Sequence, residues 1–282
     1  MQPSASPWLH EEVARRMEQR LEWIVAQPQT WIHWEPLRGG LQAQSLITKR
    51  YPKSRAFVLS ALTGQAGVAI KSIEKISPAW WNPARWTAAP VHYGAPTQPV
   101  NMLWANMALH MAADPQALLA QWHELLAPDG FVMFSCLGPH TLRALHAVYA
   151  AHGWPAPTHT FTDMHDWGDM LVQAGFADPV MDTEQLYLTF ATPQRLLTEL
   201  RELGRNLHPQ RFAALRGRRW LQQLHAALHD HLSDPAEEGR LKLGFEIIYG
   251  HAIKPTARMA VQAQSHISLQ QMRTTLGLGR KL

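Results

Sequence analysis

Short apolar runs alternate along this chain with stretches of helical period, and that alternation restricts the possible folds more than any other feature. TWIHW (30–34), RAFVLSAL (55–62), VNMLWANMAL (100–109) and FVMFSCLG (131–138) have strand length and end at turn signals. Between them, WLHEEVARRMEQRLEWIVAQ (8–27) puts Leu9, Val13, Met17, Leu21 and Ile24 at helical spacing. LQAQSLITKRYP (41–52) reads as a helix closed by Pro52. DPQALLAQWHELLAPDG (114–130) reads as a helix capped by Asp114, with Pro115 in its first turn and Pro128, Asp129 and Gly130 ending it. Parallel strands need crossover connections, so strand and helix in alternation imply an α/β fold with a mainly parallel sheet covered on both faces. Ligands of such sheets sit at the carboxyl ends of the strands.

Pro78, Pro83, Pro90, Pro96 and Pro99 break up residues 71–99, which are therefore expected to be loops around one short strand. Beyond residue 140 the pattern changes. PHTLRALHAVYAAHG (139–153) is helical, and FTDMHDWGDMLVQAGF (161–176) is a second capped helix ending at Gly175. QLYLTFAT (185–192) alternates as a strand, TPQRLLTELRELGRNL (192–207) and RRWLQQLHAALHDHL (218–232) are amphipathic helices, and LKLGFEIIYGHAIKP (241–255) is a final strand. These features predict one domain over residues 1–255 with a helical insertion at about 193–240, and a polar, basic tail over 256–282.

Hydrophobic residues make up 46% of the 282 and charged residues 17%, enough to bury a substantial core. The net charge of +4 tolerates an acidic partner but is too small to indicate nucleic acid. One cysteine, Cys136, excludes an internal disulfide and a cysteine-rich zinc site, and the scattered histidines contain no HExxH pair, so no metal is expected. No apolar run approaches the roughly 20 residues that span a bilayer. Glu11 and Glu12 precede any long apolar segment, which argues against a secretory signal and for a cytoplasmic protein.

Four stretches together carry a resemblance: ANMALHM (105–111), HELLAPDGFVMFSCLGPHTLRAL (123–145), DMHDWGDMLVQAGFADPVMD (163–182) and FEIIYGHAIKP (245–255). They closely resemble the BioC family, S-adenosylmethionine-dependent methyltransferases that esterify the free carboxyl of malonyl-acyl-carrier-protein in biotin synthesis. The resemblance runs from about residue 8 to residue 255 and implies the class I methyltransferase (Rossmann-like) fold, with S-adenosylmethionine as cofactor and acyl carrier protein as partner. A malonyl carboxylate is already ionised near neutral pH, so its methylation needs alignment with the donor rather than a strong base. A mitochondrial relative implicated in complex I assembly is also similar. It keeps open an alternative reading, a non-catalytic binding or assembly protein on the same fold.

The resemblance also assigns the site. The family's D-x-G-x-G-x-G turn falls here on His33, Glu35, Leu37 and Gly39, so only the last glycine of the pattern is kept. Glu35, Gly39 and Gly40 are the expected cofactor turn, with Leu37 and Arg38 crowding the approach. Ser60 stands where an acidic residue usually holds the ribose, Asn101 where the fourth strand often begins with aspartate, and Asn106 lines the cleft. His110 is expected at the substrate or as a hydrogen-bonded structural residue, and His165, with Asp166, at the pocket mouth or at a helix cap. Trp80, Trp81 and Trp86 either shelter an adenine ring or pack across the proline-rich loop. Arg201, Arg205, Arg216, Arg218 and Arg219 form either a ridge for an acidic carrier protein or a solvated helix face. No nucleic-acid-binding signature accompanies them.

Overall fold

The structure is a computed structural model that describes residues 6–60, 66–76 and 90–256. An eight-stranded sheet organises it, in the order β3-β2-β1-β4-β5-β8-β6, with β7 paired to β8. The strands are β1 (Thr30–Trp34), β2 (Arg55–Leu59), β3 (Val91–Tyr93), β4 (Val100–Ala105), β5 (Leu126–Leu137), β6 (Ala177–Phe190), β7 (Ser233–Asp234) and β8 (Arg240–Ile253). From β3 to β5 every pairing is parallel, and β8 runs antiparallel to both β5 and β6.

Nine helices surround the sheet among the described residues. They are α1 (Trp8–Arg20), the single turn α2 (Pro36–Gly39), α3 (Ala43–Arg50), α4 (Ala66–Ile76), α5 (Pro115–Leu125), α6 (Arg143–Ala151), α7 (Met164–Gln173), α8 (Pro193–Leu203) and α9 (Arg218–Leu232). Three of their starts are legible in the side chains. Asp114 accepts from the Ala117 amide at 2.9 Å, Asp163 from the His165 amide at 2.8 Å, and Thr192 from the Arg195 amide at 3.2 Å. The helices α8 and α9 lie between β6 and β8, where the two amphipathic patterns placed them.

Successive strand residues feed two cores, as a sheet buried on both faces requires. Trp31, Met102, Trp104, Phe131 and Met133 face the side covered by α1 and α3, together with Leu9, Val13, Met17 and Ile47. Ile32, Trp34, Leu103, Val132 and Phe134 face the side of α5 and α7, with Leu119, Trp122, Trp167 and Leu171.

Two expectations need correcting. Residues 71–76, expected in a loop, are the second half of α4, because the first proline, Pro78, comes after the helix and so does not interrupt it. Ala69 and Ile73, one turn apart, bury against the sheet. The turn expected at Pro128–Gly130 is absorbed into β5 instead. There Asp129 takes φ +61, its amide donates to the Lys254 carbonyl at 2.8 Å, and the Lys254 amide returns a bond to Gly130 at 2.7 Å. An antiparallel partner supplied by the far end of the chain converts that local stop into a strand irregularity. Trp80, Trp81 and Trp86, and the tail from residue 257, lie outside the described residues.

Trp122 is fully buried, edge-on to Trp34 at 6.0 Å and beside Phe134 at 6.3 Å. Trp122→Ala is expected to lower stability by about 3–5 kcal/mol in urea unfolding, and Trp122→Phe by clearly less. Equal losses would show that the site does not pack as described.

Candidate functional site

The carboxyl ends of β1, β2 and β4 converge on the turn the sequence marked. Glu35 follows β1 with φ +48, so its backbone keeps a left-handed conformation that glycine adopts freely although the side chain is not glycine. Its carboxylate accepts from the Ser60 hydroxyl at 3.0 Å, which joins the ends of β1 and β2. Leu37 points away from any open space and packs with Leu41, Val58, Ala69 and Ile73. A Cβ at Gly39 would lie 2.9 Å from the Asn106 carbonyl oxygen and 3.3 Å from that of Trp34. The retained glycine is therefore the one the chain needs for its own close packing.

The first helix closes the turn from above. Glu11 Oε1 accepts from the Leu41 amide at 2.8 Å and Oε2 from the Gln42 amide at 3.0 Å. Gly40, at φ +99, sits so close that a Cβ would be 3.2 Å from Ala14 Cβ, Glu11 Oε2 and the His10 carbonyl. Asn106 is fully buried, and its amide donates to the carbonyls of His10 and Gly39. Its Oδ1 accepts from Ser135 Oγ at 2.6 Å, which in turn accepts from the Met107 amide at 3.0 Å. The His10 ring donates from Nδ1 to the Arg38 carbonyl. His33 is buried below the turn, 3.1 Å from Gln44 Oε1. Burial holds both His10 and His33 down to about 4.

In this conformation the turn does not fit the methionine end of S-adenosylmethionine. That end needs free backbone N–H groups for its carboxylate and glycine-sized clearance for its approach. Here the Gln42 amide is bonded to Glu11 and the Leu41 amide to both Glu11 and Ser6 Oγ, Leu37 is in the core, and Gly39 has no room to spare.

A second region at the same end of the sheet is open. A cavity of about 150 Å³ lies above the ends of β4 and β5 and under α8. Leu137, Tyr149, Leu197, Leu200 and Phe245 give it an apolar wall, and Thr158, His159, Arg205 and Asn206 give it a polar rim. His110 is part of this wall; its Nδ1 accepts from the Leu137 amide at 3.4 Å, and burial holds it down to about 3, so it stays neutral. His165 is placed elsewhere, exposed on the first turn of α7 with its backbone amide on Asp163. A larger cavity of about 420 Å³, lined by Trp23, Val25, Phe131, Met133 and Ile253, lies toward the opposite end of β5 and is not part of this site.

The sequence puts Glu35, Gly39 and Gly40 at the first turn, Ser60 at the end of the second strand and Asn106 in the cleft, and the structure brings them together with His10 and Glu11. It gave no sign of Glu11's part, because Glu11 looks like any other charge between the apolar positions of α1. The apolar positions of α8 were visible as a helical stripe, but not as the roof of a cavity.

The sheet order and its cover of helices define the class I S-adenosylmethionine-dependent methyltransferase fold. A methyltransferase structure from Bacillus halodurans superposes with a TM-score of 0.55 at 14% identity, over 87% of this chain and 100% of that one. The YcgJ protein of Bacillus subtilis gives 0.54 at 12% identity, over 87% of this chain and 99% of that one. No family model matches the chain. Among individual proteins, the malonyl-[acyl-carrier protein] O-methyltransferase of Gallionella capsiferriformans is 33% identical over 90% of this chain and 87% of its own length. That of Methylovorus sp. is 31% identical over 91% and 86%. That of Laribacter hongkongensis is 40% identical over a shorter stretch, 56% of this chain and 52% of its own length. The chain belongs to the malonyl-[acyl-carrier protein] O-methyltransferase family.

Two outcomes follow from the clamp. Glu11→Ala frees the Gln42 amide and leaves the Leu41 amide to Ser6 Oγ alone, 3.0 Å away, at a cost of about 1–3 kcal/mol of stability. It should tighten S-adenosylhomocysteine binding at least tenfold in calorimetry; unchanged affinity would show that Glu11 is not what bars the turn. The second outcome concerns pH. His10, His33 and His110 bind a proton in the unfolded chain near 6.5 but in the folded chain only near 4, 4 and 3. Their stabilising contribution is thus full above pH 6.5 and is lost as pH falls toward 4, on the order of 1–2 kcal/mol for each by pH 5. Urea midpoints measured at pH 7 and pH 5 check this, and equal midpoints would contradict it.

Proposed function

We propose that this protein acts in biotin synthesis as a cytoplasmic malonyl-acyl-carrier-protein O-methyltransferase, with the cavity under α8 receiving the malonyl group. The observation that carries the reading is that cavity's size and position. At about 150 Å³ it falls well below the roughly 300–1,000 Å³ of pockets for drug-sized ligands, and it suits a short acyl group. It also opens at the carboxyl ends of the strands, where this fold does its chemistry. Membership of the family, at 31–33% identity over most of both chains, supports the same acceptor.

The roles follow from the lining. The apolar wall excludes water, and neutral His110 adds no charge that would trap the acyl carboxylate. Arg205 at the rim offers the opposite charge that guides the carboxylate in. No proton needs to be removed, because the carboxylate is ionised at neutral pH. Methyl transfer by this chain requires the turn between β1 and α3 to rearrange.

That requirement favours a second reading, a family member that binds the loaded carrier without methylating it. Expression in a biotin-requiring strain that lacks its own methyltransferase separates the two. Growth without biotin is expected from the enzyme. No growth, with the purified protein still binding malonyl-loaded carrier protein, would select the binding role; no growth and no binding would eliminate both.

A further inference from the structure

Between Glu202 and Asp230 the chain has no acidic residue, yet it carries Arg205, Arg211, Arg216, Arg218 and Arg219. None of these five makes a carboxylate ion pair among the described residues, in contrast to Arg15, Arg16, Arg20, Arg50 and Arg195, which all do. The segment also exposes apolar side chains: Leu215 is 100% exposed, Phe212 50% and Leu207 46%. Its shape is held in place. The Asn206 amide group donates to the Ala156 carbonyl at 2.9 Å, and the His208 amide donates to Asn206 Oδ1 at 2.8 Å. The Arg216 guanidinium lies 4.0 Å from the Trp220 ring centroid and 4.3 Å from that of Phe212, which fixes the far side of the loop.

We propose that the surface formed by residues 204–219, between α8 and the start of α9, docks an acidic carrier protein whose acyl arm enters the cavity beside it. The inference rests on the acceptor reading above and adds where on this chain the carrier sits. Charge complementarity is the first argument: five unpaired cations interleaved with apolar side chains match a partner that is acidic and also buries some apolar area. Continuity is the second. Arg205 and Asn206 belong both to this surface and to the cavity rim, so a partner bound here has its arm at the cavity mouth. Surface arginines without a carboxylate partner cost little stability and speed encounter with an acidic partner, so the lack of ion pairs here is consistent with docking.

The test uses the full chain and two probes: malonyl-loaded acyl carrier protein, and a small malonyl thioester without the protein. The variants are Arg211→Glu/Arg218→Glu/Arg219→Glu, Leu215→Ser, and a control reversal, Lys49→Glu/Lys53→Glu/Arg55→Glu, on exposed residues around the start of β2. The first variant is expected to weaken carrier binding at least tenfold and flatten its salt dependence, with thioester binding unchanged. Leu215→Ser should weaken carrier binding a few-fold, and the control less than twofold. Carrier binding that survives the triple reversal would overturn the surface while leaving the acceptor reading intact. Failure of the wild-type chain to bind either probe would overturn the acceptor reading itself. Duplex nucleic acid bound more tightly than the carrier, through the same arginines, would assign the surface to a different partner and also overturn the proposal.

Discussion

A single carboxylate decides the state of the turn that this fold normally gives to its cofactor. Glu11, on the first helix, takes the Leu41 and Gln42 amides, and the Asn106 amide ties the His10 and Gly39 carbonyls together from the other side. The Asn106 bonds are buried, so in their low-dielectric setting they are strong when made and costly when left unmade, whereas the Leu41 bond is half-buried and the Gln42 bond exposed. Helix α1, the turn and the end of β4 consequently behave as one block. Opening the turn to a ligand means replacing those bonds with others of equal quality.

The residues of the turn sort themselves by what each one packs against or bonds to. Gly39 serves the chain's own packing against Asn106 and Trp34, and it is retained. Glu35 and Leu37 carry larger side chains, one bonded to Ser60 and the other packed in the core. Glu35 still adopts the left-handed backbone of a glycine, which costs a residue with a Cβ about 1–2 kcal/mol. Its carboxylate recovers part of that through Ser60.

The region above the end of β5 shows no such closure. The long antiparallel ribbon of β6 and β8 carries α8 and α9 over the ends of β4 and β5, and the apolar stripe of α8 roofs a small cavity rather than filling it. A stretch with five arginines and no acidic residue leads directly into that cavity's rim. The two regions differ in kind: in the turn, polar groups satisfy each other, and beside the cavity, arginines stand at the surface without a carboxylate partner.

The sequence by itself determined the strand and helix alternation, and with it the sheet. Thr30–Trp34 and Arg218–Leu232 were legible to the residue, because period and capping are local properties of neighbouring side chains. It also determined which turn to inspect, since glycines and their replacements stand next to one another in the chain. It did not reveal α4, where the prolines that follow masked a short helical stripe, nor the extension of β5 through Pro128–Gly130, which depends on a partner strand more than a hundred residues away. Only the tertiary structure decided that Glu11 occupies the amides of Leu41 and Gln42, and that Asn106 is a strut. Those contacts join residues 30 to 96 positions apart, and no periodicity or spacing records which buried donor a distant carboxylate will satisfy.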